Sequence, residues 1–251
     1  MKNISIISQK HKLKQFFTDN IIFRLLRLIL SPKNLVRKIF EYKSKKKNKI
    51  EKINWTDRAK LYGKYSVLDK RTPISEFNYV TKEQKKILFN NLKKYTSGKE
   101  KNILDFGCGT GRFSAELLKI SKKARVTAVD KEKKLVNMAN KNKKIDFIHL
   151  SSLNKIKKKF DLIFIINVLG GIQDKELKKI AFFLKKKLNK NGILILNENI
   201  NNNFDSKKLF KFWVDRSEKY YKNLFKQLNL EKIDQYKYLD NFNVIFIGKK
   251  T

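Results

Sequence analysis

One stretch constrains this chain more than any other: residues 102–114, reading NILDFGCGTGRFS. An apolar run ends in Asp105, passes through glycines at 107, 109 and 111, and enters Phe113 to Lys119, where apolar residues recur at helical spacing. That order reads as strand, tight loop, helix. Glycines give the loop conformations closed to residues with a Cβ, and they let a ligand approach main-chain N–H groups at a helix N-terminus. The loop is built to hold a small molecule. A dinucleotide fingerprint would place its third glycine at 112, where Arg112 stands, so a pyrophosphate is not the expected ligand.

A second short strand, Arg125 to Asp130, ends in an acid 25 residues after Asp105. A carboxylate there suits the paired hydroxyls of a ribose, and it also suits the N-cap of a helix over Lys131 to Lys141. The pattern D-x-G-x-G-x-G resembles motif I of class I S-adenosylmethionine-dependent methyltransferases, and Asp105, Gly107, Gly109 and Gly111 match it position by position. The resemblance implies S-adenosyl-L-methionine as cofactor. By it, the loop including Cys108 holds the methionine end, Asp105 lies close to the amino group, and Asp130, with Lys131 beside it, holds the ribose.

Strands and helices keep alternating after Asp130. Ile145 to Leu150 reads as a third strand, followed by Ser152, placed by the resemblance beside the adenine. Phe160 to Leu169 is an almost unbroken apolar run, as in a central parallel strand buried on both faces. It resembles motif IV of the family, with Gly170 and Gly171 where many relatives carry an acid and a histidine, so a histidine base is absent from that place. Asp174 to Leu188 has the apolar spacing of a helix, Asn191-Gly192 stops it, and Ile193 to Leu196 forms a fifth strand. A helix over Leu209 to Leu228 and an antiparallel hairpin of Lys232 to Leu239 with Phe242 to Gly248, joined at Asp240-Asn241, complete the pattern. The expected fold is a doubly wound α/β sheet of seven mostly parallel strands with an N-terminal helical extension. Residues 80–251 form the catalytic domain. Asn167, Glu198, Arg216 and Tyr220 are the acceptor-side candidates, because they fall at carboxyl ends of strands or on the helix that follows.

The segments before this domain differ in character. Residues 1–50 read as a basic amphipathic extension: Ile21 to Leu30 carries only Arg24 and Arg27, Leu35 to Tyr42 adds a shorter amphipathic turn, and Lys43 to Lys49 is nearly all basic. Ten residues are too few to span a bilayer, which takes about 20 apolar ones. Residues 16–49 have the composition of a peripheral membrane contact, or of a helix packed on its own domain or a partner. Residues 51–79 are aromatic and irregular. By the resemblance they form a lid, in which Trp55, Tyr62 and Tyr65 line the pocket or pack against the sheet edge. A helix from Val80 to Tyr95, with Thr81 as its N-cap, leads into the first strand.

Composition narrows the functional classes. Cys108 is the single cysteine and His11 and His149 are the two histidines, which excludes an internal disulfide, makes no metal site expected and fits a reducing cytoplasm. The formal net charge of +37 comes from 60 basic against 23 acidic residues, yet only eight of the basic residues are arginine. Lysine is spread through nearly every segment and is seldom interleaved with aromatics, unlike an RNA-binding face. Three functions follow: methyl transfer to a small-molecule, glycan or lipid-linked acceptor; RNA methylation; or a non-catalytic cofactor-binding module. RNA base-amino methylation lacks its N/D-P-P-Y/F signature here, since the fourth strand ends Asn167-Val168-Leu169-Gly170.

Overall fold

The computed structural model describes residues 4–5, 55–69, 71–201, 213–239 and 241–250. The amphipathic segments and basic run expected between residues 16 and 49, and the first residues of the expected helix at 209, lie outside them. Among the described residues eight strands form one sheet in the order β1-β7-β8-β6-β5-β2-β3-β4, where β1 is Ile4–Ser5, β2 Asn102–Phe106, β3 Arg125–Asp130, β4 Ile145–His149, β5 Phe160–Ile166, β6 Leu188–Ile200, β7 Glu231–Tyr238 and β8 Asn241–Lys249. Strands β2 to β6 run parallel, while β8 is antiparallel to both β6 and β7. The seven expected strands are all present. The two residues of β1 add an eighth at the edge of β7, parallel to it, which the sequence pattern did not announce.

Burial explains why this sheet is doubly wound. Phe160, Leu162, Ile163, Phe164 and Ile165 of β5 are at most 1% exposed, so both faces of the central strand are covered. Because successive side chains alternate faces, Ile103, Leu162 and Phe164 pack with Leu88 and Leu92 of helix α2, Phe77–Lys93. Helix α1, Trp55–Tyr62, precedes it in the chain. On the opposite face Leu104, Ile163 and Ile165 meet Leu177, Ala181 and Leu184, which belong to Asp174–Lys187. Between these helices the chain forms α3, Ser114–Leu117, and α4, Lys133–Asn137, so Asp174–Lys187 is α5; α6 is Glu218–Leu224. The chain leaves β2 toward β3 and β4, then returns to lay β5 on the other side of β2. The strand order therefore reverses between β2 and β5, and a crevice opens at their carboxyl ends.

Several element ends differ from the sequence reading. Helix α2 begins at Phe77 because a 3-10 turn, Ile74–Glu76, after Pro73 runs straight into it, which leaves Thr81 inside the helix rather than capping it. Helix α4 is shorter than Lys131 to Lys141, and its cap is Glu132, whose side chain accepts from the Lys134 N–H. Arg216 precedes α6 and forms a parallel bridge with Ile200; Ser217 caps that helix by accepting from the Tyr220 N–H. Strand β6 starts directly at the end of α5, with Asn191 at φ 62 in the irregular start of the strand.

Truncating Leu104 to alanine removes a fully buried side chain from the strand beside the crevice and is expected to cost about 2–5 kcal/mol of unfolding free energy. Urea denaturation measures it, and a loss under about 1 kcal/mol would show that this layer collapses to fill the space.

Candidate active site

The glycine loop is fastened to its neighbours by main-chain bonds. Gly107 and Cys108 N–H groups both donate to the Val129 carbonyl, at 2.7 and 2.9 Å, which ties the loop to β3. Gly109 N–H donates to Asp130 Oδ2 at 2.8 Å, while Asp130 Oδ1 accepts from the Glu132 N–H at 2.8 Å. Asp130 therefore clamps the loop to its own strand end, and the capping role expected of it passes to Glu132. Gly107 has φ +77, and a Cβ there would lie 2.3 Å from the Val168 side chain; Gly109 has φ +56, with Val67 at 2.7 Å. Both positions need glycine for conformation and for closeness.

These elements border an open cleft of about 980 Å³, its solvent-filled mouth included. Asp105, Gly107, Cys108, Gly109, Asp130, Lys131 and Asn167 line it, as expected. Two other cofactor-side candidates do not. Gly111 closes the loop by donating to the Cys108 carbonyl and packs against the Phe147 ring of β4, and the wall beyond β4 is Leu150 rather than Ser152. Of the lid aromatics, Trp55 reaches the cleft; Tyr62 does not, and Tyr65 packs edge-on to Phe77 at 5.1 Å. Arg58 donates to the carbonyls of Ser66 and Leu68, and Thr56 Oγ1 donates to Glu132 Oε2 at 2.6 Å, so this segment is braced and joined to the cap of α4.

Arg112, Val67, Glu176 and the apolar Leu135, Ile172 and Ile180 also line the cleft, and none was a sequence candidate. Glu176 is in the first turn of α5, but no local pattern says which way a helix start faces. Arg112 had entered only as the residue that breaks a dinucleotide fingerprint. Among the described residues no group of three or more His, Cys, Asp or Glu gathers to hold a metal ion. Burial pushes the Cys108 thiol well up, which disfavours its thiolate.

Asp105 accepts from Ser114 Oγ at 2.6 Å. Burial pushes its carboxyl up to about 7, against the pull of the Ser114 bond, with the Asp130 charge adding to the rise and Arg112 opposing it. Asp130 is raised by burial too, opposed by its two backbone bonds. Two strand-end acids thus face one cleft, and either is well placed for a cationic or hydroxylated ligand.

The acceptor-side candidates divide. Asn167 lines the cleft at φ 53, a left-handed conformation uncommon outside glycine; its N–H donates to the Asn197 carbonyl at 2.8 Å and its Oδ1 accepts from Asn197 Nδ2 at 3.2 Å. Glu198, by contrast, is fully buried and accepts the N–H groups of Val168, Leu169 and Gly170 at 2.8, 2.7 and 3.3 Å. Arg216, 2% exposed, donates to the Leu169 and Ile172 carbonyls and pairs with Asp174 at 2.7 Å. The Tyr220 hydroxyl donates to the same Asp174 oxygen at 3.0 Å, its ring beside the guanidinium. These three brace the 168–174 turn from behind and do not line the cleft. The glycine that replaces the expected acid at 170 has a packing reason as well, since a Cβ there would lie 2.2 Å from the Trp213 indole.

The strand order, the glycine loop and the two strand-end acids define the class I S-adenosylmethionine-dependent methyltransferase architecture. Residues 79–235, more than half of the chain, match the methyltransferase domain family, and the chain belongs to that family. The N-methyltransferase NodS from Bradyrhizobium japonicum WM9, in complex with S-adenosyl-L-homocysteine, shares the fold at TM-score 0.54 and 17% identity, over 67% of this chain and 86% of that one. Magnesium protoporphyrin IX methyltransferase, ChlM, from Synechocystis PCC 6803 with bound SAM shares it at TM-score 0.56 and 15% identity, over 88% of this chain and 98% of that one. No curated protein matches the chain.

Replacing Glu198 by glutamine turns an amide NH₂ or a weaker acceptor toward three backbone donors. It is expected to cost about 1–3 kcal/mol of stability in urea titrations. Unchanged stability with lost methyl transfer would instead return Glu198 to the reaction itself.

Proposed function

We propose that the protein transfers a methyl group from S-adenosyl-L-methionine to a small-molecule or lipid-linked acceptor. The observation that carries this reading is the division of one cleft: the glycine loop with Asp105 and Asp130 on the β2–β3 side, and Asn167 at the end of β5 opposite. The residues present fit the cofactor. The positive φ at Gly107 and Gly109 leaves no side chain between the loop backbone and a ligand, and both acids face the cleft. Asp105 would meet the cofactor's ammonium, Asp130 its ribose, and the apolar wall of Leu135, Leu150 and Ile180 its base.

When bound, the cofactor supplies a methyl group already activated by the sulfonium charge. What remains for the protein is alignment of an acceptor lone pair behind that methyl, together with exclusion of water. Trp55 and Val67 cover the cleft from the lid side, while Asn167 is held rigid by its two bonds to Asn197. No histidine lines the cleft among the described residues, which favours an acceptor whose own acidity suffices or a nitrogen nucleophile. The lipid-linked branch of the reading is supported by the amphipathic and basic sequence of residues 16–49; no helix among the described residues is long and apolar enough to cross a membrane.

Titration calorimetry should show binding of S-adenosyl-L-homocysteine and none of NAD, and tight NAD binding alone would overturn the reading. A radiolabelled methyl donor, supplied with metabolite, lipid-glycan and RNA pools, should label the first or second; label confined to RNA would shift the assignment to the RNA class.

Asp105 adds a pH dependence of definite sign. Its carboxyl is raised from 3.8 to about 7, so between those values the folded protein holds a proton that the unfolded chain has lost, and Asp105 lowers stability as pH rises through that window. Cofactor binding has the opposite trend, because the ionised carboxylate is the form that attracts an ammonium. Affinity for S-adenosyl-L-homocysteine should therefore rise between pH 6 and 8, and the rise should vanish in Asp105→Asn. An equal slope in the variant would assign the titration elsewhere.

A further inference from the structure

We propose that Arg112 and Asn167 form a recognition site for a carboxylate or phosphate of the methyl acceptor. This rests on the methyl-transfer reading and makes it narrower, by naming the chemistry of the group that acceptor carries.

Arg112 leaves the glycine loop one residue after Gly111 and lines the cleft. Nη1 donates to Gln84 Oε1 at 2.7 Å and to Thr81 Oγ1 at 3.4 Å, both on α2, and the guanidinium lies 4.3 Å from the Phe113 ring centre. All of these partners are neutral. Among the described residues no carboxylate lies within ion-pair distance of Arg112, although Asp105 is close enough to act on it through space. All its hydrogen bonds leave from Nη1. Among the described residues Nε and Nη2 have no hydrogen-bond partner, and neither is fully buried, which leaves that edge of a cleft-lining side chain available to a ligand. The Nε–Nη2 edge is one of the two edges by which arginine grips a carboxylate or phosphate with parallel bonds.

A guanidinium stays charged in any protein, and withdrawing it from water without an acid partner is unfavourable. The arrangement is therefore poor as a stabilising device and good as half of an ion pair. Position decides which ligand supplies the other half. Its bonds to Thr81 and Gln84 hold Arg112 against α2, within electrostatic reach of Tyr236 and Tyr238 on β7 and of Asp105 on β2, while Asp130 stands beyond β2 on β3. Asn167 follows β5, on the other side of β2 from β3. Its Oδ1 is taken by Asn197, so its Nδ2 hydrogens are the part left for a ligand. The acceptor half of the cleft is thereby furnished with donors, while the acids face the cofactor half. A neutral or cationic acceptor would leave the Arg112 charge unanswered.

The test uses the full chain saturated with S-adenosyl-L-homocysteine, with 3-hydroxybenzoate, 3-hydroxybenzamide and inorganic phosphate as probes in calorimetry. The anionic probes should bind at least tenfold more tightly than the amide. Arg112→Gln should abolish that preference, Arg112→Lys should keep part of it, and neither should weaken S-adenosyl-L-homocysteine affinity as much as tenfold, the smaller loss expected of Arg112→Gln coming from a higher Asp105 carboxyl once the guanidinium is gone. Melting temperature should hold or rise in Arg112→Gln, since an unpaired cation has been removed; a fall of many degrees would make Arg112 a structural brace and overturn the proposal. Anionic probes that bind no better than the amide would also overturn it. So would a tenfold loss of S-adenosyl-L-homocysteine affinity in Arg112→Gln with 5′-methylthioadenosine unaffected, because Arg112 would then serve the cofactor's own carboxylate. Failure of wild type to bind S-adenosyl-L-homocysteine at all would instead remove the methyl-transfer reading beneath it.

Discussion

Where two parallel strands end side by side, the chain must turn away, and the main-chain N–H groups of each turn lose their sheet partners. Here each turn is answered by a carboxylate on a neighbouring strand. Asp130, at the end of β3, takes Gly109 of the loop after β2, and Glu198, near the end of β6, takes three consecutive N–H groups of the turn after β5. A buried donor without a partner costs about 1–3 kcal/mol, so these bonds hold the loops that border the cleft. Everything proposed for the site depends on those two turns keeping their shape.

The same physics separates acids that hold the site from acids that face a ligand. Asp105 and Glu198 are both buried and both pushed to about 7, yet Glu198 directs its oxygens to backbone while Asp105 lines the cleft beside Ser114. A raised carboxyl is therefore no guide to catalysis until its geometry is known. The arginines repeat the contrast: Arg216 is paired with Asp174 and two carbonyls behind the turn, whereas Arg112 has only neutral hydrogen-bond partners.

Much of the fold was legible because its causes are local. Period-two and continuous apolar runs located β2 to β8, and the spacing of Leu177, Ala181 and Leu184 located α5, since burial of one face leaves its mark on every turn. Element ends were less legible. Helix α2 starts early because Pro73 sets a turn that feeds it, and Arg216 falls outside α6 because Ser217, three residues before Tyr220, is the cap. In the site, motif spacing located Asp105, Gly107, Gly109 and Asp130, but it could not tell a strand-end residue that lines the cleft from one that points beneath it. Asn167 and Glu198 both end strands; only the first reaches the cleft.

The sequence by itself determined the α/β class, the strand–loop–helix that binds a cofactor and the family, because a backbone that must adopt positive φ at 107, 109 and 111 selects glycine wherever the rest of the chain lies. Tertiary structure alone decided that Gly111 packs on β4, that Glu198, Arg216 and Tyr220 serve the turn, and that Arg112, Glu176 and Val67 line the cleft. Those outcomes depend on residues brought together from distant parts of the chain, such as Gln84 with Arg112 and Val67 with Gly109, and no periodicity encodes a contact between segments so far apart.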